Sequence, residues 1–110
     1  MTITTISPGT QILTAINVIS VLPKDQARVV ELLSRASDVL GKTQVGFLSA
    51  NIHRSHDGTK VVNYVQWRSK QDFESVFSNA GFMELYGQVK ELGQPAPYTY
   101  EVVHAVHGVL

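Results

Sequence analysis

One polar side chain interrupts an otherwise apolar strand face in this 110-residue chain. Side chains alternate along a strand, so in the strand-forming run from Lys60 to Trp67 the residues Val61, Asn63, Val65 and Trp67 share one face. An amide between two valines and beside the only tryptophan reads as a small polar site inside an apolar pocket. A buried amide is costly unless it is hydrogen-bonded, so Asn63 either meets a ligand or is satisfied by neighbouring backbone. Trp67 offers a flat apolar wall to a ligand, or fills a core position. Of the histidines, His56 falls at a turn, where it is solvated. His104 and His107 are three apart in a strand-like run, so they point to opposite faces and form no local metal pair. With no cysteine there is no disulfide framework, thiolate metal site or thiol nucleophile.

These residues need a frame. Asp57-Gly58 suits a tight two-residue turn and joins strands expected at about 44–55 and 59–68. That turn pairs Ile52 with Asn63 and His53 with Val62, so His53 falls on the face away from Asn63. A bulge or an odd-length loop at His56 to Thr59 reverses that assignment. Ser69 and Asp72 fit a variant capping box at the start of the next helix. Upstream, Gln11 to Leu22 is a long β-favouring run ended by Pro23. From Lys24 to about Leu40, Val29, Leu32, Leu33, Ala36 and Leu40 recur at helical spacing, with Gly41 as the expected stop. Downstream, a short helix carries Phe73, Val76 and Phe77, and Asn79 to Gly81 interrupts it. A second helical piece carries Phe82, Leu85, Val89 and Leu92, and Tyr98 to His107 is expected as the last strand. Residues 1–10 read as a flexible arm and 11–110 as one domain.

The order β-α-β-β-α-β predicts an α+β, ferredoxin-like fold, a four-stranded antiparallel sheet with helices on one face. Both sheet faces are apolar in sequence: Leu13, Ala15, Ile19 and Val21 line one side of the first strand, and Ile16, Val18 and Leu22 the other. Helices cover one side only. The second face predicts a homodimer, sheet against sheet, or else stays as a moderately apolar exposed surface.

Nine Lys and Arg balance nine Asp and Glu, which gives no reason to expect nucleic acid or an anionic membrane as partner. The N-terminal MTITTISPGTQ lacks a basic start and a long apolar core, and no apolar run approaches bilayer length. A cytoplasmic protein is the expectation.

The run GFLSANIHRSHDGTKVVNYVQWRS, with His53, Asn63 and Trp67, closely resembles the anthrone-oxidising branch of the antibiotic biosynthesis monooxygenase superfamily. That resemblance implies a dimeric α+β barrel of ferredoxin-like subunits. It also implies oxidation of polyketide anthrones to quinones by O₂ with no metal, flavin or haem. In those enzymes an asparagine here contacts the substrate oxygen, and its amide can stabilise a developing enolate. His53 matches a histidine able to act as base toward a phenol or an acidic C–H. Asn63, Trp67 and His53 are thus the expected catalytic residues, and Phe73, Phe77, Phe82, Tyr86 and Asn17 the expected substrate-binding ones. Two departures stand out. The resembling enzymes carry a tyrosine where this chain has Phe73, and an arginine in the following helix, whereas no Arg follows Arg68 and Tyr86 falls near that position.

Two other readings stay open. WRSKQDF also resembles haem-degrading relatives, and Asn17 falls where they carry an asparagine. Their iron-binding histidine has no counterpart, since no His lies between His56 and His104, and Tyr86 would be an improvised ligand. The missing Tyr and Arg also suit a non-catalytic dimeric module that binds a small aromatic metabolite.

Overall fold

A computed structural model of the chain describes residues 2–109. Strand β1 (Leu13–Val21) runs into a single 3-10 turn at Pro23–Asp25 and then helix α1 (Gln26–Thr43). The hairpin β2 (Phe47–Arg54) and β3 (Lys60–Trp67) follows, then the short helix α2 (Lys70–Glu74), a 3-10 turn at Ser75–Ser78 and helix α3 (Ala80–Leu92). Two short strands, β4 (Gly93–Gln94) and β5 (Pro97–Tyr100), close the fold.

The sheet is antiparallel in the order β2-β3-β1-β4, and β5 also pairs with β1. Five strands are present where four were expected, for a local reason. β4 and β5 lie along β1 in one continuous register, from Val21↔Gly93 to Thr14↔Tyr100. They are two halves of one edge, parted at Pro95-Ala96, where proline has no N–H for the ladder. The architecture remains the ferredoxin-like α+β one.

Helix α1 buries Val29, Leu32, Leu33 and Ala36 against Ile19 and Val61 of the sheet and Leu85 and Val89 of α3. Each such aliphatic side chain contributes roughly 1.5–3 kcal/mol of transfer free energy. A second cluster of Leu40, Val65, Trp67 and Val76 gathers partly buried Ala15, Phe47, Phe73 and Phe82 around it. The site lies beside this second cluster.

Three expectations need correction. Gly41 does not end α1, which continues to Thr43; one helical glycine costs only about 1 kcal/mol. The chain reverses instead at Gly46, where φ is +82°. The turn is not two residues long: Ser55 N–H donates to the Lys60 carbonyl, which leaves four residues, His56 to Thr59, in the loop. Only Gly58 among them has positive φ. Lastly, the final strand does not reach His107. β5 ends at Tyr100, and residues 101–109 have no regular structure. Tyr100 pairs with Thr14, one residue from the start of β1, so the chain beyond it has no neighbouring strand to bond. The opposite-face assignment of His104 and His107 falls with that strand.

Residues 2–12 form no strand or helix, yet they touch the sheet. Thr4 Oγ1 donates to Asn51 Oδ1 at 2.9 Å, and Gln66 Nε2 donates to the Thr5 carbonyl at 2.8 Å. Both partners face away from the helices, so the arm lies on the outer sheet face. Elsewhere that face exposes Val18, Tyr98 and Tyr100. No helix among the described residues is long and apolar enough to cross a membrane.

Candidate active site

Between the helices and the inner sheet face lies a cavity of about 420 Å³, bordered by Trp67, Phe73, Phe77, Phe82, Tyr86 and the two asparagines Asn17 and Asn63. Its aromatic wall is a chain of edge-to-face contacts: Phe47 to Trp67 at 5.5 Å, Trp67 to Phe73 at 6.0 Å and Phe73 to Phe77 at 6.0 Å between ring centroids. Such contacts add about 0.5–1.5 kcal/mol each beyond area burial. Local sequence builds this wall. A bulge in β2 between Phe47 and Ser49 sets Phe47, rather than Leu48, opposite Trp67. Ser69 Oγ accepts from Asp72 N–H at 3.1 Å and so starts α2, which delivers Phe73. Arg68 grips the Asp72 carboxylate through Nε (2.8 Å) and Nη2 (3.1 Å), which holds that carboxyl below its ordinary pKa with help from Ser69.

The opposite wall comes from α3. Asn79 caps this helix, its Oδ1 accepting from Phe82 N–H at 3.1 Å, while its Nδ2 donates to Thr43 Oγ1 and Gln44 Oε1 at the end of α1. One turn further on, the Phe82 and Tyr86 rings stack at 5.6 Å and 15°, as i,i+4 neighbours do. Lys90 Nζ sits 5.6 Å from the Tyr86 ring centroid on α3.

Asn17, Asn63 and Tyr86 face this apolar space from adjacent elements, and Ser37, Tyr98 and Thr99 also border it. Asn17 and Asn63 are register partners on β1 and β3. Asn17 is fully engaged: its Oδ1 accepts from Ala96 N–H at 3.0 Å and its Nδ2 donates to the Tyr86 hydroxyl at 3.2 Å. Burial pushes the Tyr86 phenol above its ordinary pKa, partly offset by the bond from Asn17. Asn63 differs, because its Oδ1 is buried and has no hydrogen-bond partner. An unpaired buried acceptor costs about 1–3 kcal/mol, a cost that a hydroxylated ligand would relieve. Chemically, the arrangement can hold a flat aromatic molecule, exclude water from it and offer its oxygens an amide and a phenol.

Every predicted site residue except His53 borders the cavity. His53 pairs with Val62, is exposed, and sits with Nδ1 3.2 Å from the Asn51 carbonyl on the opposite sheet face. The loop of four residues has the same parity as a two-residue turn, so the hairpin register is unchanged. The β2 bulge lies beyond this pairing and does not rotate His53 inward. No histidine, carboxylate or cationic side chain among the described residues borders the cavity, and the phenols there, Tyr86 already bonded to Asn17 and Tyr98 at the rim, would be poor ligands for a metal or haem iron. Sequence reasoning missed the Ala96 N–H that orients Asn17 and the exposed Tyr98 at the rim. The Pro95-Ala96-Pro97 triplet was the available signal, since it breaks the edge strand beside Asn17.

Comparison with known proteins agrees with this geometry. The antibiotic biosynthesis monooxygenase family profile matches residues 12–85. The tetracenomycin-F1 monooxygenase of Streptomyces glaucescens is 35% identical over 101 residues, covering 92% of this chain and 90% of that protein. The crystal structure of the ActVA-Orf6 monooxygenase of Streptomyces coelicolor, in complex with nanaomycin D, is 31% identical with a TM-score of 0.74, covering 88% of this chain and 92% of that one. SnoaB of Streptomyces nogalater, a cofactor-independent oxygenase, shares the fold at 18% identity and a TM-score of 0.74, over 88% and 98% of the two chains. With a profile match over most of its length and a relative alignable almost end to end, the chain belongs to the antibiotic biosynthesis monooxygenase family.

Proposed function

We propose that this protein is a cofactor-independent monooxygenase that oxidises an anthrone- or hydroquinone-type aromatic to a quinone with O₂. The carrying observation is the unpartnered buried Asn63 oxygen in an aromatic-walled cavity. The identity to two monooxygenases, 35% and 31%, supports the reaction class.

For an anthrone the steps balance simply. A proton leaves the ring methylene for water at the cavity mouth, because His53 lies on the other sheet face. Asn63 steadies the oxyanion of the resulting enolate; with no partner fixing its carbonyl, the amide is free to turn either end toward the substrate. One electron passes to O₂, the two radicals join, and the protonated hydroperoxide loses water to leave the quinone carbonyl. Trp67 and Phe73 hold the ring plane, and the apolar lining limits the water around it.

The homodimer belongs to the same proposal. Exposed Val18, Tyr98 and Tyr100 on the outer face, with Val103 and Val106 beyond β5, supply apolar surface for a second copy. Light scattering should give twice the mass of one chain.

The activity is tested by oxygen uptake of metal-stripped protein given 1,8-dihydroxyanthrone, with the spontaneous rate subtracted. Uptake with quinone formation, lost in Asn63→Ala, is the expected result. No rate above background for this and related anthrones overturns the proposal and favours a binding module.

A further inference from the structure

Hydrogen-bond accounting around Tyr86 determines which way its proton points. A backbone N–H can only donate, so the Asn17 atom that meets Ala96 N–H at 3.0 Å is the carbonyl oxygen. The amide nitrogen therefore faces Tyr86, at 3.2 Å from its hydroxyl. An amide nitrogen offers no lone pair, so the Tyr86 oxygen accepts and its own hydrogen must point elsewhere. That hydroxyl enters no other hydrogen bond among the described residues, and it borders the cavity. The cavity thus presents an unused donor on α3 and, from β3, the unused acceptor of Asn63.

We propose that Tyr86 is a specificity-determining hydrogen-bond donor, its proton turned into the cavity by Asn17 as a positioning residue, and that it selects aromatic ligands bearing a carbonyl or other acceptor oxygen. This rests on reading the cavity as an aromatic-binding site. Together the two groups fit an aryl ketone with a neighbouring hydroxyl, the phenol donating to an acceptor oxygen and the amide serving the oxygen that becomes the enolate. Stacking on Phe82 fixes the phenol plane, and burial keeps the phenol protonated at neutral pH, so the donor is permanent. Asn17 enforces the polarity: with its oxygen held by Ala96 it cannot take the Tyr86 proton back.

The test uses two inert bicyclics of nearly the same outline, 1-tetralone and tetralin, which differ by one carbonyl oxygen. Binding is followed through the indole N–H resonance of Trp67, the only tryptophan and part of the cavity wall. Wild type should bind the ketone more tightly. Tyr86→Phe should weaken the ketone about fivefold and leave the hydrocarbon within twofold, as the loss of one neutral hydrogen bond requires. Asn17→Asp keeps size and the Ala96 contact but exchanges the donor nitrogen for an acceptor oxygen. The new carboxylate should capture the Tyr86 proton and abolish the ketone preference equally. Tetralin binding shows that each variant's cavity is intact. An unchanged ketone-to-hydrocarbon ratio in Tyr86→Phe overturns the inference and leaves the proposed oxygenase standing. Failure of both ligands to move the Trp67 signal overturns the aromatic cavity itself, and both readings with it.

Discussion

Asn17 and Asn63 face each other across the β1–β3 ladder, and their amides are in opposite states. Register partners hold their Cβ atoms about 5 Å apart, so both reach the same cavity. Asn17 is bonded at both ends, to Ala96 and Tyr86, while Asn63 has a buried oxygen with no donor. A fold selected only for stability would satisfy or remove the second amide. The unpaired oxygen fits the proposal that a ligand is its missing partner.

Replacing it should therefore stabilise the protein. Asn63→Leu keeps the side-chain shape and removes the unpaired oxygen, which should raise stability by about 1 kcal/mol. For a domain of this size that is an increase in melting temperature of roughly 4 °C by calorimetry. A lowered melting temperature would mean that the amide is satisfied in solution.

Gly46 should tolerate no side chain. Its φ is +82°, and an added Cβ would collide with the Asp72 carboxyl. Asp72 donates its N–H to the Ser69 cap of α2 and its carboxylate pairs with Arg68, so the clash travels to Phe73 and the aromatic wall. Gly46→Ala should cost about 2–4 kcal/mol in urea unfolding, beyond the strain of a positive φ alone. A loss below about 1 kcal/mol would show that the carboxyl can move aside freely.

His53 should be dispensable for chemistry. It is exposed on the face opposite Asn63. His53→Ala is expected to keep kcat/KM within twofold, measured as quinone formation. A drop of tenfold or more would place this ring at a site through some route other than its own subunit's cavity.

Asp57 should give the hairpin a pH-dependent contribution. Its carboxylate accepts from Thr59 N–H at 3.0 Å and from the Ser55 and Thr59 hydroxyls at 2.8 Å each, and these bonds lower its pKa from 3.8 to about 2. A carboxylate depressed in the folded state stabilises fully above its unfolded pKa, and the contribution is lost as pH falls through the folded one. Asp57→Ala should thus melt slightly below wild type at neutral pH. The gap should close between about pH 4 and pH 2. A gap that persists at pH 2 would assign the effect to the backbone of the turn.

Much of this was legible in the chain and some was not, for physical reasons. The parity of the hairpin followed from Asp57-Gly58 even though the loop is longer than two residues, because adding a residue on each side leaves the register unchanged. Val61, Asn63, Val65 and Trp67 share the inner face as strand alternation requires. The β2 bulge was invisible because Phe47 and Leu48 are both apolar, so neither register is penalised by the pattern. The last strand was drawn too long because Val102, Val103 and Val106 favour extended backbone, while pairing depends on where β1 begins. The bond from Asn17 to Tyr86 joins residues 69 apart in sequence, and no local pattern encodes such a contact.

In the proposed reaction the Asn63 amide steadies the enolate oxyanion. This role is tested most directly by the rate of quinone formation from 1,8-dihydroxyanthrone by Asn63→Leu, once its melting curve shows a folded protein. Removal of one group that stabilises an oxyanion should lower kcat about 100-fold. A folded Asn63→Leu variant that turns over at the wild-type rate would contradict the account.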